Sequence, residues 1–174
     1  SCDAFGGFGT LDGSIFDDQN NFEQDYEAEM LRYYSNIVGK YSNMVQKAFD
    51  KLKGVEIKMI APSHGLVWRG NPGKVLELYN KWCNWENEDG VVIAYASMYG
   101  NTEQMADYIG SILGAQGIKV KTHDVSKSHV SYMLADIWKY KGLGVAKTIL
   151  KKKNKVGDLT LPDFRTYYKI TVIH

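Results

Sequence analysis

The feature that most constrains this chain is an unbroken apolar run, Val91-Val92-Ile93-Ala94-Tyr95-Ala96, that passes directly into Ser97-Met98-Tyr99-Gly100-Asn101-Thr102. A strand with no polar alternation has to be covered on both faces, which is the condition of a parallel sheet. Behind the loop, Met105, Tyr108, Ile109, Ile112 and Leu113 recur at helical spacing. Gly117 ends that helix, and Ile118, Val120 and Thr122 open a second strand. A second helix is expected over residues 128–138, built on Val130, Met133, Leu134, Ile137 and Trp138. This β-α-β-α order is the opening of a doubly wound α/β sheet.

The loop at 97–102 has the residues of a phosphate cradle. A strand-to-helix turn offers unpaired N–H groups and the positive end of the helix dipole. Ser97 and Thr102 add hydroxyls, Asn101 adds an amide, and Gly100 allows close approach of the backbone. The loop holds no lysine, so it does not match the nucleotide-triphosphate loop, and the G-x-G-x-x-G dinucleotide pattern is also absent. A single phosphate monoester fits best. On residue types alone, a turn that merely caps the helix is an equal reading; the buried strand before it and the amphipathic helix after it favour phosphate.

Upstream, residues 1–24 are rich in Gly, Asp and Asn and read as loop, with a short hairpin expected at Leu11-Asp12-Gly13-Ser14. Residues 25–53 read as helical on a broad apolar face that includes Met30, Tyr33, Tyr34, Ile37, Val38, Tyr41 and Leu52, divided at Gly39 and stopped at Gly54. Residues 55–60 alternate and predict a strand. Ala61-Pro62-Ser63-His64-Gly65 is a turn, and Asn71-Pro72 starts a helix running to Trp82. The polar stretch 84–90 predicts a domain boundary. Tyr79, Trp82 and Trp85 are expected to pack, and His123 and His129 to be strand-end or surface residues.

The 174 residues are 44% hydrophobic and 24% charged with a formal net charge of +1, enough apolar material for a core and no average charge calling for nucleic acid or a membrane surface. Cys2 and Cys83 form no CxxC or zinc spacing, and a reducing cytoplasm is the default expectation. The chain starts at Ser1 inside loop-like text and reads as cut from something longer.

Tyr95-Ala96-Ser97-Met98-Tyr99-Gly100-Asn101-Thr102-Glu103 resembles the FMN-phosphate loop of flavodoxin-like domains, in the Met-Tyr version found in flavodiiron proteins. Ser1-Cys2-Asp3-Ala4-Phe5-Gly6, Arg32-Tyr33-Tyr34-Ser35-Asn36-Ile37-Val38-Gly39, Ala61-Pro62-Ser63-His64-Gly65 and His123-Asp124-Val125-Ser126 resemble the same family, in its order. The resemblance implies a metallo-β-lactamase-like segment over 1–86 and a flavodoxin-like FMN-binding segment over 90–143, both partial. It implies FMN held by Ser97, Met98, Tyr99, Gly100, Asn101 and Thr102. It further implies that Asp3 matches the carboxylate bridging two irons and His64 a late histidine ligand, a donor set that suits iron. In the family the irons reduce dioxygen or nitric oxide, and FMN relays electrons from a rubredoxin or a reductase within a homo-oligomer. The family's first ligand cluster, a His-x-Glu-x-Asp run with further histidines, is absent here and would lie upstream of Ser1.

After Leu143 the text departs from the family, whose third strand and flavin-ring loop are expected there. Lys147, Lys151, Lys152, Lys153, Lys155, Arg165 and Lys169 make residues 144–174 a basic tail. Lys155-Val156-Gly157-Asp158-Leu159-Thr160-Leu161-Pro162-Asp163-Phe164 and the residues to Lys169 resemble a segment near the end of a LINE retrotransposon reverse-transcriptase polyprotein, which implies a chimera and carries no polymerase motif. The leading expectation is an FMN-binding, electron-transfer part of a flavodiiron-type oxidoreductase. The alternatives are a non-catalytic truncated or chimeric chain with no cofactor, and a lactamase-fold hydrolase, which needs a full histidine cluster.

Overall fold

The computed structural model describes residues 2–9, 11, 13–140 and the strand at 171–173. The chain divides into two compact units, Ser1–Asn87 and Glu88–His174.

In the first unit the helical stretch is not one rod. Helix α1 (Glu27–Tyr33) runs into a π-type turn at Tyr34–Val38 and a tight turn at Gly39–Tyr41 before α2 (Ser42–Leu52) begins. The break therefore spans eight residues rather than Gly39 alone. It narrows the buried face: Met30, Tyr33, Tyr34 and Val38 are buried, while Ile37, Tyr41, Met44 and Leu52 are exposed. Helix α3 (Pro72–Cys83) starts where Asn71 and Pro72 place it, with Asn71 Oδ1 accepting from the Lys74 N–H at 3.0 Å. Its Val75, Leu78, Tyr79, Trp82 and Cys83 are buried, and Tyr34, Tyr79 and Trp82 form one aromatic cluster. Trp85 is exposed.

One expectation for this unit fails. Residues 55–59 form no strand; only Ile60 pairs, antiparallel, with Trp68. The alternation is present, but Val55 and Met59 are 56% and 54% exposed, so no neighbouring strand covers that face. The hairpin expected at 11–14 includes Asp12, which lies outside the described residues; beyond it Phe16 bridges Val67.

Asp17 organises the join between these loops. Its Oδ1 accepts from the N–H groups of Arg69 at 2.8 Å and Gly70 at 2.9 Å, and its Oδ2 from Asn71 at 2.9 Å. Burial pushes its carboxyl up, but the N–H donors of Gly70, Arg69 and Asn71 together outweigh that and hold it below its ordinary value. A depressed carboxyl contributes stability above its unfolded value and loses it as pH falls through the folded value. Asp17→Asn is expected to destabilise the chain by ~2 kcal/mol at neutral pH. Urea unfolding followed by tryptophan fluorescence should show wild type and variant converging below the carboxylate range.

The second unit is the sheet. Strand β1 (Val91–Tyr95) is buried throughout and pairs in parallel with β2 (Val120–Asp124), Val91 opposite Val120 and Tyr95 opposite Asp124. Between them runs α4 (Asn101–Ala115). Val91, Ile93 and Tyr95 pack with Ala106, Ile109, Leu113 and Val120 as one core. This is a narrower helix face than the sequence implies: Tyr108 and Ile112 are exposed. Helix α5 (Val130–Lys139) also packs on β1, and its first turn is capped by His129 Nδ1, which accepts from the Ser131 N–H at 3.3 Å. His123 Nε2 lies 2.8 Å from Asp136 Oδ2 on α5. The other edge of β1 is taken by a short antiparallel strand, β3 (Thr171–Ile173), giving the order β2-β1-β3. No third strand of useful length was expected, but a β1 edge with open N–H and C=O groups favours pairing with a β-prone Thr-Val-Ile. The lysine-rich text and the retrotransposon-like segment lie outside the described residues.

Candidate phosphate-binding site

The site forms at the carboxyl end of β1, where ligands sit in open α/β sheets. Gly100 is the residue before α4 and has φ of +83°, a left-handed conformation that costs other residues about 1 kcal/mol or more. None of the described residues lies within 4 Å of where its Cβ would be, so among them backbone conformation rather than crowding calls for glycine. The first helical bond runs from the Gln104 N–H to Gly100 O at 2.9 Å. The N–H groups of Asn101, Thr102 and Glu103 therefore precede the helical ladder and face the loop as donors.

Ser97 Oγ is buried and has no hydrogen-bond partner among the described residues. A buried hydroxyl left unpaired costs roughly 1–3 kcal/mol, so its lack of a partner among the described residues argues for a ligand. Thr102 is buried beside the start of α4. Met98 and Tyr99, by contrast, are 75% and 79% exposed and project into solvent. Ser97, Gly100, Asn101 and Thr102 thus follow one another through the strand-to-helix turn, with the Ser97 hydroxyl and Thr102 buried and Met98 and Tyr99 exposed.

Residues flanking the loop complete it. The Tyr95 hydroxyl donates to Glu103 Oε1 at 3.3 Å. Tyr95 O accepts from the Val125 N–H at 2.8 Å, and Asp124 Oδ1 accepts from Ser126 N at 3.0 Å, closing the turn after β2. The Ser126 hydroxyl, set against burial, holds the Asp124 carboxyl below its ordinary value. The sequence places Tyr95, Glu103, Asp124 and Ser126 within family-like motifs but assigns them no site role; an Asp-x-Ser turn directly after a strand is the available signal.

Asp3 and His64 are also neighbours, within the first unit. Asp3 Oδ1 lies 3.7 Å from His64 Nε2, with the side chains 56% and 58% exposed. The Gly6 N–H donates to Asp3 O and the Gly7 N–H to His64 O, each at 3.3 Å. Burial, with the Asp3 charge second, pushes the neighbouring Tyr33 phenol up. Among the described residues no group of three or more His, Cys, Asp or Glu is placed to hold a metal ion.

The flavodoxin family model matches residues 93–148, which include the end of β1, the loop and α4. The anaerobic nitric oxide reductase flavorubredoxin of Vibrio vulnificus is 36% identical over 159 residues, which is 86% of this chain and 31% of that protein. The solved rubredoxin oxygen:oxidoreductase from Desulfovibrio gigas superposes with a TM-score of 0.73 at 29% identity, over 80% of this chain and 35% of that one. The flavodiiron protein from Giardia intestinalis gives 0.72 at 25% identity, over 79% and 34%. The chain is homologous to flavodiiron proteins. It carries a flavodoxin-like domain, and it spans about a third of the length of these flavodiiron relatives. The flavodiiron family implies FMN and a diiron centre. The 97–102 loop fits the first through its orphaned Ser97 hydroxyl and free helix N–H groups. Two exposed side chains, Asp3 and His64, do not fit the second.

Proposed function

We propose that this chain binds FMN by its phosphate and serves as the FMN-binding, electron-transfer part of a flavodiiron-type oxidoreductase. The observation that carries the reading is the buried, unpartnered Ser97 hydroxyl at the amino end of α4, directly after a strand buried along its whole length. Bound FMN supplies redox chemistry at its isoalloxazine ring. The chain's own part is to hold the phosphate. Ser97, Thr102 and the first N–H groups of α4 donate to it, Asn101 adds an amide, and Gly100 turns the backbone toward it. The loop's lack of a lysine leaves the anion to hydrogen bonds and the helix dipole. Met98 and Tyr99 form the outer wall of the same loop.

The parent reaction is reduction of dioxygen or nitric oxide, with electrons from a rubredoxin or reductase and a homo-oligomeric cytoplasmic assembly. No helix among the described residues is long and apolar enough to cross a membrane. Asp3 and His64 stand at two ligand positions of the parent's diiron centre, and no step is assigned to iron in this chain.

Titration of FMN with the purified full chain tests the reading. Quenching of flavin fluorescence and a retained yellow absorbance band are expected. Ser97→Ala should weaken FMN binding about tenfold, the equivalent of one charge-assisted hydrogen bond. A chain that stays colourless with excess FMN would refute it.

A further inference from the structure

We infer that Tyr95 and Glu103 are positioning residues that tie the two ends of the phosphate loop together, an assignment that rests on the FMN reading above. Tyr95 is the last residue of β1, and its ring lies in the core with Val91, Ile93 and Ala106. Its hydroxyl reaches past the loop to Glu103 Oε1 in the first turn of α4, at 3.3 Å. Residues 97–102 are thereby bracketed by one side-chain bond. The backbone end of Tyr95 is held as well, because its carbonyl accepts from Val125 in the turn that Asp124 and Ser126 close.

The tie answers two problems of the site. A cradle made of a left-handed glycine, an unpaired hydroxyl and free N–H groups has little of its own to keep it in shape before the anion arrives. A fixed chord between its ends reduces the ordering that binding would otherwise require. Glu103 also stands one turn from a site for a phosphate dianion, where like charges repel. Donation from the Tyr95 hydroxyl engages that carboxylate on the core side of α4. Lys127, whose Nζ is 3.1 Å from Asp124 Oδ2, is drawn to the charged form by Asp124 and by Glu103, and so adds a cation on the same side.

The two side chains therefore make separable predictions. Tyr95→Phe keeps the ring in the core but removes the tie and releases the carboxylate; both changes disfavour the phosphate. Glu103→Gln keeps an acceptor oxygen for Tyr95 and removes the charge. Full-length wild type and variants are titrated with FMN and with riboflavin, which has the same ring system and no phosphate, and their thermal melts are compared. Expected is a fall of about tenfold in FMN affinity for Tyr95→Phe with riboflavin affinity unchanged. Glu103→Gln, which removes the like charge and keeps the acceptor, is expected to bind FMN more tightly than wild type. Equal FMN affinity in wild type and Tyr95→Phe would overturn the assignment, as would equal losses toward FMN and riboflavin, or a Glu103→Gln variant as weak as Tyr95→Phe. A wild type that leaves FMN fluorescence untouched would overturn the FMN reading itself and this assignment with it.

Discussion

Tyr79→Ala is expected to destabilise the first unit by about 4 kcal/mol, the cost of emptying a fully buried aromatic site. Tyr79 has no exposed surface, and its ring meets Phe5 at 4.6 Å, Tyr34 at 4.9 Å and Trp82 at 5.6 Å between centroids. Each aromatic pair adds roughly 0.5–1.5 kcal/mol beyond the area it buries. The phenol has a second task. Its oxygen accepts from the Phe5 N–H at 2.7 Å, while Trp68 Nε1 donates to Phe5 O at 3.0 Å. Phe5 has φ of +70°, a conformation that a side chain bearing Cβ avoids, so it persists only because its neighbours hold it. Tyr79→Phe should therefore cost about 1–2 kcal/mol, since the ring stays and only the Phe5 donor loses its partner. Urea unfolding followed by tryptophan fluorescence separates the two variants. A Tyr79→Phe variant as unstable as Tyr79→Ala would show that the hydrogen bond, and not the packing, dominates. Because Asp3 lies two residues before Phe5, both variants should also loosen the segment that presents Asp3 to His64.

The parts of this molecule legible in the sequence are those set by neighbours along the chain. The run at 91–96 could only be a strand covered on both faces, and β1 is buried throughout. The Asn71-Pro72 start of α3 and the Gly100 turn before α4 are local chemistry, and both hold. The strand-to-helix turn at 97–102 was readable for the same reason: its residues are contiguous. What escaped was set by distant partners. The alternation at 55–60 gives a strand only if another strand lies alongside, and none of the described residues does so before Ile60. The helical text at 25–53 carries no Pro, and its break at Tyr34–Tyr41 follows from Tyr34 turning inward, where its hydroxyl lies 2.8 Å from Ser42 Oγ and 3.1 Å from Cys83 Sγ. Asp17 reads as one more loop aspartate until Arg69, Gly70 and Asn71 come to it across the fold. Asp3 and His64 were reached through family resemblance alone, since 60 positions separate two unremarkable loop residues.

Gly65→Ala is expected to cost about 3 kcal/mol, and the neighbourhood of the residue explains why glycine is required there. Gly65 has φ of +81°, which alone costs an alanine roughly 1–2 kcal/mol. An added Cβ would also stand 2.7 Å from Gly7 N, 3.2 Å from Gly7 Cα and 3.3 Å from Gly7 O. These are backbone atoms of the segment whose N–H groups at Gly6 and Gly7 bond to Asp3 O and His64 O, so they cannot swing aside as a side chain would. The two loops must separate, and the 3.7 Å approach of Asp3 to His64 must open with them. Gly54→Ala supplies the control. Gly54 follows α2 with φ of +84° and has none of the described residues within 4 Å of its Cβ position, so it carries the conformational penalty without the clash. Its loss should be near 1 kcal/mol. Denaturant unfolding measures both, and amide hydrogen exchange at Gly7 locates the effect: faster exchange is expected in Gly65→Ala and wild-type exchange in Gly54→Ala. Equal losses in the two variants would mean that the loop carrying His64 can yield, and that its place beside Asp3 is held by something other than this backbone contact.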